Sequence, residues 1–428
     1  MGTAERSRAS RGHHRGGNRL FMVMLLVGSS LGVQALMTVN GIISARMLGV
    51  EGRGVVALVV AVATMTGRLT YAGGTRIAVA DLLVRHRLRA RDGLRDVAPA
   101  WALRALAPCA LAAVYLAWLQ RDSPPTVRWG LVITVVVISL QQMAAGLLSG
   151  CLQGEGAGAG RLAVAGLAPQ LPFTVVLVVA FAAGWRWDAV DVLVAQSVAP
   201  LAGLYVGWRL LRPPTGTARS LTRREIWPVT RANYVNAVGT IDSIGLDRNL
   251  VGPLLGNAEL GLYSAATAVA NLSKILGTST AVLVLPQMSA ARDDPAAQRR
   301  VIRRWLPFSA LVMAVVVVVV ELLTGPLIRL AFGNPFAAAI PAAHWLVLAD
   351  GLLGYRRVLV AVLQGQGRGA VASTLELVLT GAVALGIVVA AALHSLAAVG
   401  FAMFVVAVLS CLVLLYLVLR RSPQPVAS

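Results

Sequence analysis

Leu48-Gly49-Val50-Glu51-Gly52-Arg53-Gly54 and Leu255-Gly256-Asn257-Ala258-Glu259-Leu260-Gly261 each hold a Leu-Gly pair with a second glycine five residues on, 207 positions apart. A second phrase, Leu152-Gln153-Gly154-Glu155-Gly156, returns as Leu363-Gln364-Gly365-Gln366-Gly367 at an offset of 211. Both phrases fall in turns between long apolar runs. Two offsets of nearly equal size identify a duplicated unit about half the chain long, and duplicated helical units are a common transporter plan.

The composition places that unit in a membrane. Of 428 residues, 57% are hydrophobic and 13% charged, whereas a soluble domain carries about 25% charged residues. The net charge of +20 is almost wholly arginine, with Lys274 the only lysine. The arginines cluster in short loops at one face, so they speak for topology rather than nucleic-acid binding. Cys109, Cys151 and Cys411 lie in or beside apolar runs with neither pairing nor ligand spacing, which marks them as small buried hydrophobes.

A helix needs about 20 apolar residues to cross the hydrocarbon. Twelve runs meet this, at roughly 20–45, 54–80, 98–119, 128–150, 161–183, 189–211, 228–252, 258–286, 305–324, 338–363, 369–391 and 396–419. The expected fold is an all-α polytopic membrane protein of about 12 transmembrane helices in two six-helix lobes, related by a parallel pseudo-twofold repeat. Its expected parts are a basic tail (1–19), an N-terminal lobe (20–211), a basic linker (212–227), a C-terminal lobe (228–419) and a short tail (420–428). Arginine-rich segments make up the N-terminal tail and follow the second, sixth, eighth and last spans, all on one side, which predicts that both termini and the linker are cytoplasmic in a bacterial plasma membrane.

Polar residues inside the spans point to function, because a charge at mid-membrane costs about 2.5–3.5 kcal/mol on insertion scales. Arg68 is about fourteen residues, or roughly 21 Å, into the second span. Lys274 is at a similar depth in the eighth, where the 207-residue offset maps it to Gly67, one position from Arg68. The seventh span carries Asn233, Asn236, Thr240, Ser243 and Asp247 at steps of three and four, one face of a continuous helix. Its repeat partner, the first span, has the weaker set Ser30, Gln34 and Thr38, and Arg46 and Arg53 flank the turn at its outer end, as surface charges or as the outer rim of the pathway. Arg356 and Arg357 lie at a depth similar to Glu376, which predicts a structural salt bridge, while Asp350 has no evident partner.

Several apparent motifs carry no chemistry. His13-His14 is too little for a metal site, and Asp293-Asp294 sits in a short charged loop. The glycines at 154, 156, 158 and 160 are followed by no Gly-Lys-Ser/Thr. No catalytic triad is present, so neither an enzyme nor a cofactor is expected.

Four segments resemble the polysaccharide (oligosaccharide) flippase family of the multidrug/oligosaccharidyl-lipid/polysaccharide exporter superfamily. They are Ala45–Gly54 after the first span, Leu254–Ser264 after the seventh, Leu285-Pro286-Gln287 closing the eighth, and Ala331-Phe332-Gly333-Asn334 before the tenth. The resemblance covers nearly the whole chain. It implies a cavity lined by spans one, two, seven and eight, and alternating access that moves undecaprenyl-diphosphate-linked sugars from the inner to the outer leaflet. On this reading Arg68 and Lys274 meet the anionic headgroup, while Gln34, Arg46, Asn233, Asn236, Thr240 and Asp247 complete the substrate path. The implied partners are a lipid-linked glycan, membrane lipids, and the polymerase and glycosyltransferases of polysaccharide synthesis, with no nucleic acid. The competing expectation is a cation-coupled drug antiporter of the same superfamily, which needs buried carboxylates such as Asp247, Asp242 or Asp350. A major-facilitator carrier does not fit, because Asp81–Arg89 lacks that family's loop pattern.

Overall fold

The computed structural model describes residues 3–69, 73–95, 97–214, 216, 220–238, 245–292 and 294–420. Among them regular structure is entirely helical: α1 (Thr3–Gly67), α2 (Gly73–His86), α3 (Ala90–Gly93), α4 (Val97–Leu119), α5 (Pro125–Gly154), α6 (Ala159–Leu167), α7 (Gln170–Ala182), α8 (Ala189–Leu210), α9 (Arg223–Val238), α10 (Leu246–Leu255), α11 (Asn257–Ala290), α12 (Pro295–Leu327), α13 (Ile340–Gly365), α14 (Gly369–Ala392) and α15 (Leu396–Leu419). A π turn (Ile328–Phe332) and a 3₁₀ turn (Asn334–Ala339) join α12 to α13. The protein is thus an all-helical, multi-pass membrane protein.

Nine helical segments among the described residues are long and apolar enough to cross a bilayer. The expected second, seventh and tenth spans are not among them as separate crossings. The first part of the second is the end of α1, and residues 70–72 lie outside the described residues ahead of α2. The seventh is interrupted at Gly245, whose φ of 60° and ψ of 34° are left-handed, immediately before α10 begins at Leu246. The tenth, α13, is 26 residues long but carries Asp350, Arg356 and Arg357. The expected fifth span is one apolar stretch, Ala159–Ala182, bent between α6 and α7 at Ala168-Pro169.

The chain divides into two compact units. One holds Met1–Asn40, Thr66–Trp185 and Val190–Ala237; the other holds Gly41–Met65, Arg186–Ala189 and Val238–Ser428. The segment 41–65 therefore belongs to the first half by sequence and to the second unit by packing.

Each unit builds its interior from equivalent helices. In the first, α2 packs on α5; in the second, α11 packs on α13. Leu152 and Leu363, partners in the repeated phrase, are both fully buried, beside Leu82 and Leu83 in one unit and beside Met288 and Val284 in the other. The phrases close their helices identically. Ala157 N–H donates to the Leu152 carbonyl and Gly156 N–H to Gln153; Arg368 N–H donates to Leu363 and Gly367 N–H to Gln364, all at 2.9–3.0 Å. Gly156 and Gly367 take positive φ, 64° and 80°, as this helix ending requires.

The two Leu-Gly phrases meet inside the second unit. Gly49 breaks α1 with φ 68° and ψ −169°, and Gly256 caps α10 with φ 98° and ψ 169°, a region essentially reserved for glycine. A Cβ on Gly54 would lie 1.7 Å from the Asn257 carbonyl oxygen; one on Gly261 would lie 1.9 Å from that of Val50. The contact is reciprocal: each phrase's glycine seats against the other's backbone, in the register of the 207-residue offset.

Candidate functional site

Polar side chains inside the second unit gather along one face of α11. Tyr263, Thr267 and Lys274 stand at i, i+4 and i+11, a sector about 40° wide at 100° per residue. Each meets a charged or polar group from another helix or from α10. Tyr263 Oη donates to Asp247 Oδ2 at 2.8 Å, and Arg248 Nη2 donates to Thr267 Oγ1 at 3.2 Å. Lys274 Nζ lies 3.5 Å from Asp350 Oδ2.

Glycine contacts bring these partners together. A Cβ on Gly277 would fall 2.3 Å from the Gly354 carbonyl oxygen, so the α11 and α13 backbones touch one turn from the Lys274–Asp350 pair. Ser273 Oγ adds a hydrogen bond to the Val347 carbonyl at 3.1 Å. Lys274, expected to stand with Arg68 as a bare cation, therefore has its charge balanced, and Asp350 has the partner its sequence context did not reveal. The pair is not sealed, with side-chain exposures of 23% and 12%.

Near this face, Arg53 and Arg248 have no carboxylate partner among the described residues. Arg53 lies four residues past Gly49, with its Nε buried and without a hydrogen-bond partner. Arg248 lies close enough to repel it, and the neighbouring carboxylate, Asp247, is engaged by Tyr263. Among the described residues, Lys274, Arg53 and Arg248 stand against Asp247 and Asp350, a sum of one positive charge over these five side chains. Sequence reasoning placed Arg53 at an outer rim and passed over Arg248. The available signal was the pair of arginines beside the two copies of the repeated phrase.

The other expected site residues fall as follows. Arg68 is exposed, in the first unit, just past Gly67, whose Cβ would lie 2.9 Å from Gln142 Cβ. Gln34 is exposed on the first part of α1, and its carbonyl accepts from Thr38 Oγ1. Arg46 donates from Nε to the Ala331 carbonyl at 2.7 Å and from Nη2 to Leu330, so it caps the terminal carbonyls of the α12 region. Asp247 is in α10, not on one continuous helix with Asn233 and Asn236, because Gly245 interrupts the rod. The side chains of Asn233 and Asn236, and Thr240, Asp242 and Ser243 entirely, lie outside the described residues. The expected bridge forms between Arg356 Nη2 and Glu376 Oε2, both buried. No group of His, Cys, Asp and Glu among the described residues could hold a metal ion.

Residues 164–341 match the family model described as "Polysaccharide biosynthesis protein". The helical arrangement is similar to an inward-facing multidrug resistance MATE family transporter of the MOP superfamily, with TM-score 0.67 and 15% identity over 90% of this chain and 94% of that one. It is also similar to the lipid II flippase MurJ in an inward closed conformation, with TM-score 0.72 and 12% identity over 92% and 87%. Over residues 164–341 the chain is therefore similar to that polysaccharide biosynthesis family. At these identities the structural likeness is one of fold. A MATE structure in complex with MaD3S matches at TM-score 0.55 and 16% identity, over 94% of this chain and 95% of that one. No curated protein sequence matches this chain.

Proposed function

We propose that this transporter moves a polyprenyl-diphosphate-linked oligosaccharide from the inner to the outer leaflet of a bacterial plasma membrane, by alternating access of lobes 20–211 and 228–419, with both termini cytoplasmic. The observation that carries the reading is the approach of Arg53, on the apolar segment of α1, to Arg248 of α10, with no carboxylate paired to either among the described residues. Fixed positive charge away from bulk water favours a diphosphate, and guanidinium forks match its oxygens. Arg68 is also a proposed contact of the anionic headgroup, and the Lys274–Asp350 pair supplies charge that a ligand phosphate can divide. Asn233, Asn236, Thr240 and Gln34 are the proposed partners of sugar hydroxyls, with Arg46 holding the rim. An inside-negative potential drives an anion outward by about 2.3 kcal/mol per charge per 100 mV. A polymerase and glycosyltransferases supply and consume such a cargo. No bond is made or broken, so the protein acts as a carrier and not as an enzyme.

The test is flipping of fluorescent undecaprenyl-diphosphate oligosaccharide in proteoliposomes. Arg53→Gln and Arg248→Gln should each slow transport at least tenfold at equal insertion; normal rates in both variants would sink the proposal. The second reading, a cation-coupled antiporter, is favoured by two partly accessible carboxylates, Asp247 and Asp350. It requires that Asp247→Asn abolish pH-driven uptake of a cationic drug, a result that the flippase reading does not predict.

A further inference from the structure

A cavity of about 240 Å³ lies wholly inside the first unit, between α5, the bend joining α6 to α7, and α8. Its wall is unusual for membrane-spanning helices. It carries four glutamines, Gln141, Gln142, Gln170 and Gln196, with Ser149, and not one charged side chain. Gln141 is about 24 Å along α5 from Pro125, so the amides sit at the depth of the hydrocarbon, where polar groups are costly unless matched. Gln141 is used as glue, donating to the Ser197 carbonyl of α8. The amides of Gln142, Gln170 and Gln196 are tied to no other group among the described residues.

The backbone around the cavity is shaped for it. Pro169 breaks the span between α6 and α7, and Pro200 lies within α8. Neither proline has an N–H, so the carbonyls of Ala165 and Gln196, both in the cavity wall, lose their helical donors. Gly203 lets α8 reach the break: a Cβ there would lie 2.3 Å from the Ala168 carbonyl and the Pro169 nitrogen. Phe173, buried, contributes an aromatic wall. Discontinuous helices commonly line binding sites in transporters.

We infer that this cavity is a second ligand site, which takes one neutral sugar ring. An uncharged wall rejects phosphate, carboxylate and metal ions alike. Amides both donate and accept, as sugar hydroxyls do, and an aromatic wall suits the apolar face of a pyranose. The ligand class rests on the glycolipid proposed above, whereas the cavity's chemistry stands without it.

The test uses the full chain in nanodiscs with two probes, undecaprenyl diphosphate and the same lipid carrying maltotriose. The wild type should bind the glycosylated lipid at least tenfold more tightly. Gln142→Leu/Gln196→Leu should remove that advantage while holding the sugar-free lipid within twofold of wild type. Equal loss for both probes, or an advantage kept by the double variant, overturns the inference. A Ser149→Cys variant, with the three native cysteines replaced by alanine, gives an arm independent of the lipid: free maltotriose should slow its labelling by maleimide at least threefold. Slowed labelling without binding of either lipid would fail the flippase proposal and support the cavity. Binding of both lipids equally, with labelling unaffected, would overturn the cavity and leave the flippase proposal standing.

Discussion

Lys274 and Asp350 show how far a single residue can be read. A lone lysine at mid-membrane depth is conspicuous in any sequence, and its position at i+11 from Tyr263 on α11 follows from numbering. Its partner does not. The two residues are 76 positions apart, and what sets them 3.5 Å from each other is the contact of Gly277 with Gly354, which leaves no periodic trace. Removing one member of a buried pair leaves the other uncompensated, at about 3–5 kcal/mol. Lys274→Met should therefore lower the thermal midpoint strongly, and Lys274→Met/Asp350→Leu should recover most of the loss. If the double variant also fails to transport while unfolding at the wild-type temperature, the pair serves the transport cycle rather than the fold. Arg356 and Glu376 were foreseeable because both stand out in apolar stretches at similar depth. Arg46 was not, because its partners are main-chain carbonyls, and a sequence does not show which carbonyls lack donors.

At the scale of elements, hydropathy located almost every helix and misplaced their interruptions. The polar residues of the seventh span keep a 3.6 period, which predicts one continuous helix. The break at Gly245 depends on a left-handed residue, which glycine permits but does not announce. Helix ends are better marked. Asp294 precedes Pro295 and accepts from the amides of Ala296 and Ala297 at 2.8 and 3.0 Å. Those two bonds hold its carboxyl below the usual carboxylate value of 3.8. A depressed pKa means that the cap contributes fully above that value and is lost as pH falls through the lower, folded-state pKa. Asp294→Ala should speed amide exchange at Ala296 and Ala297 near neutral pH, and the wild type should show the same acceleration only at strongly acidic pH. Gly256 has φ 98°, so Gly256→Ala should lower the thermal midpoint by the equivalent of about 1–3 kcal/mol, whereas Gly160→Ala, with nothing within 4 Å, should not.

For the whole molecule, the duplication was legible because it left identical words at matched distances. The words survive where the backbone leaves no choice: two helix endings that need positive φ, and one crossing where main chains touch. What the words could not tell is that 41–65 packs with the second unit, since packing partners are chosen by shape rather than by position in the chain. Gly54→Ala should prevent folding, seen as loss of the monodisperse peak in detergent, because overpacking by one methyl ordinarily costs about 1–3 kcal/mol and here the added carbon would meet a carbonyl at 1.7 Å. The Gly54–Gly261 crossing also bears on the genetics of the protein. Opposite an oversized side chain, a smaller neighbour usually restores room, but the clash here is with the main-chain carbonyls of Asn257 and Val50, which no side-chain substitution removes. Suppressor screens starting from either glycine should return only true revertants, so after the gene doubled this was one place where neither copy was left free to drift.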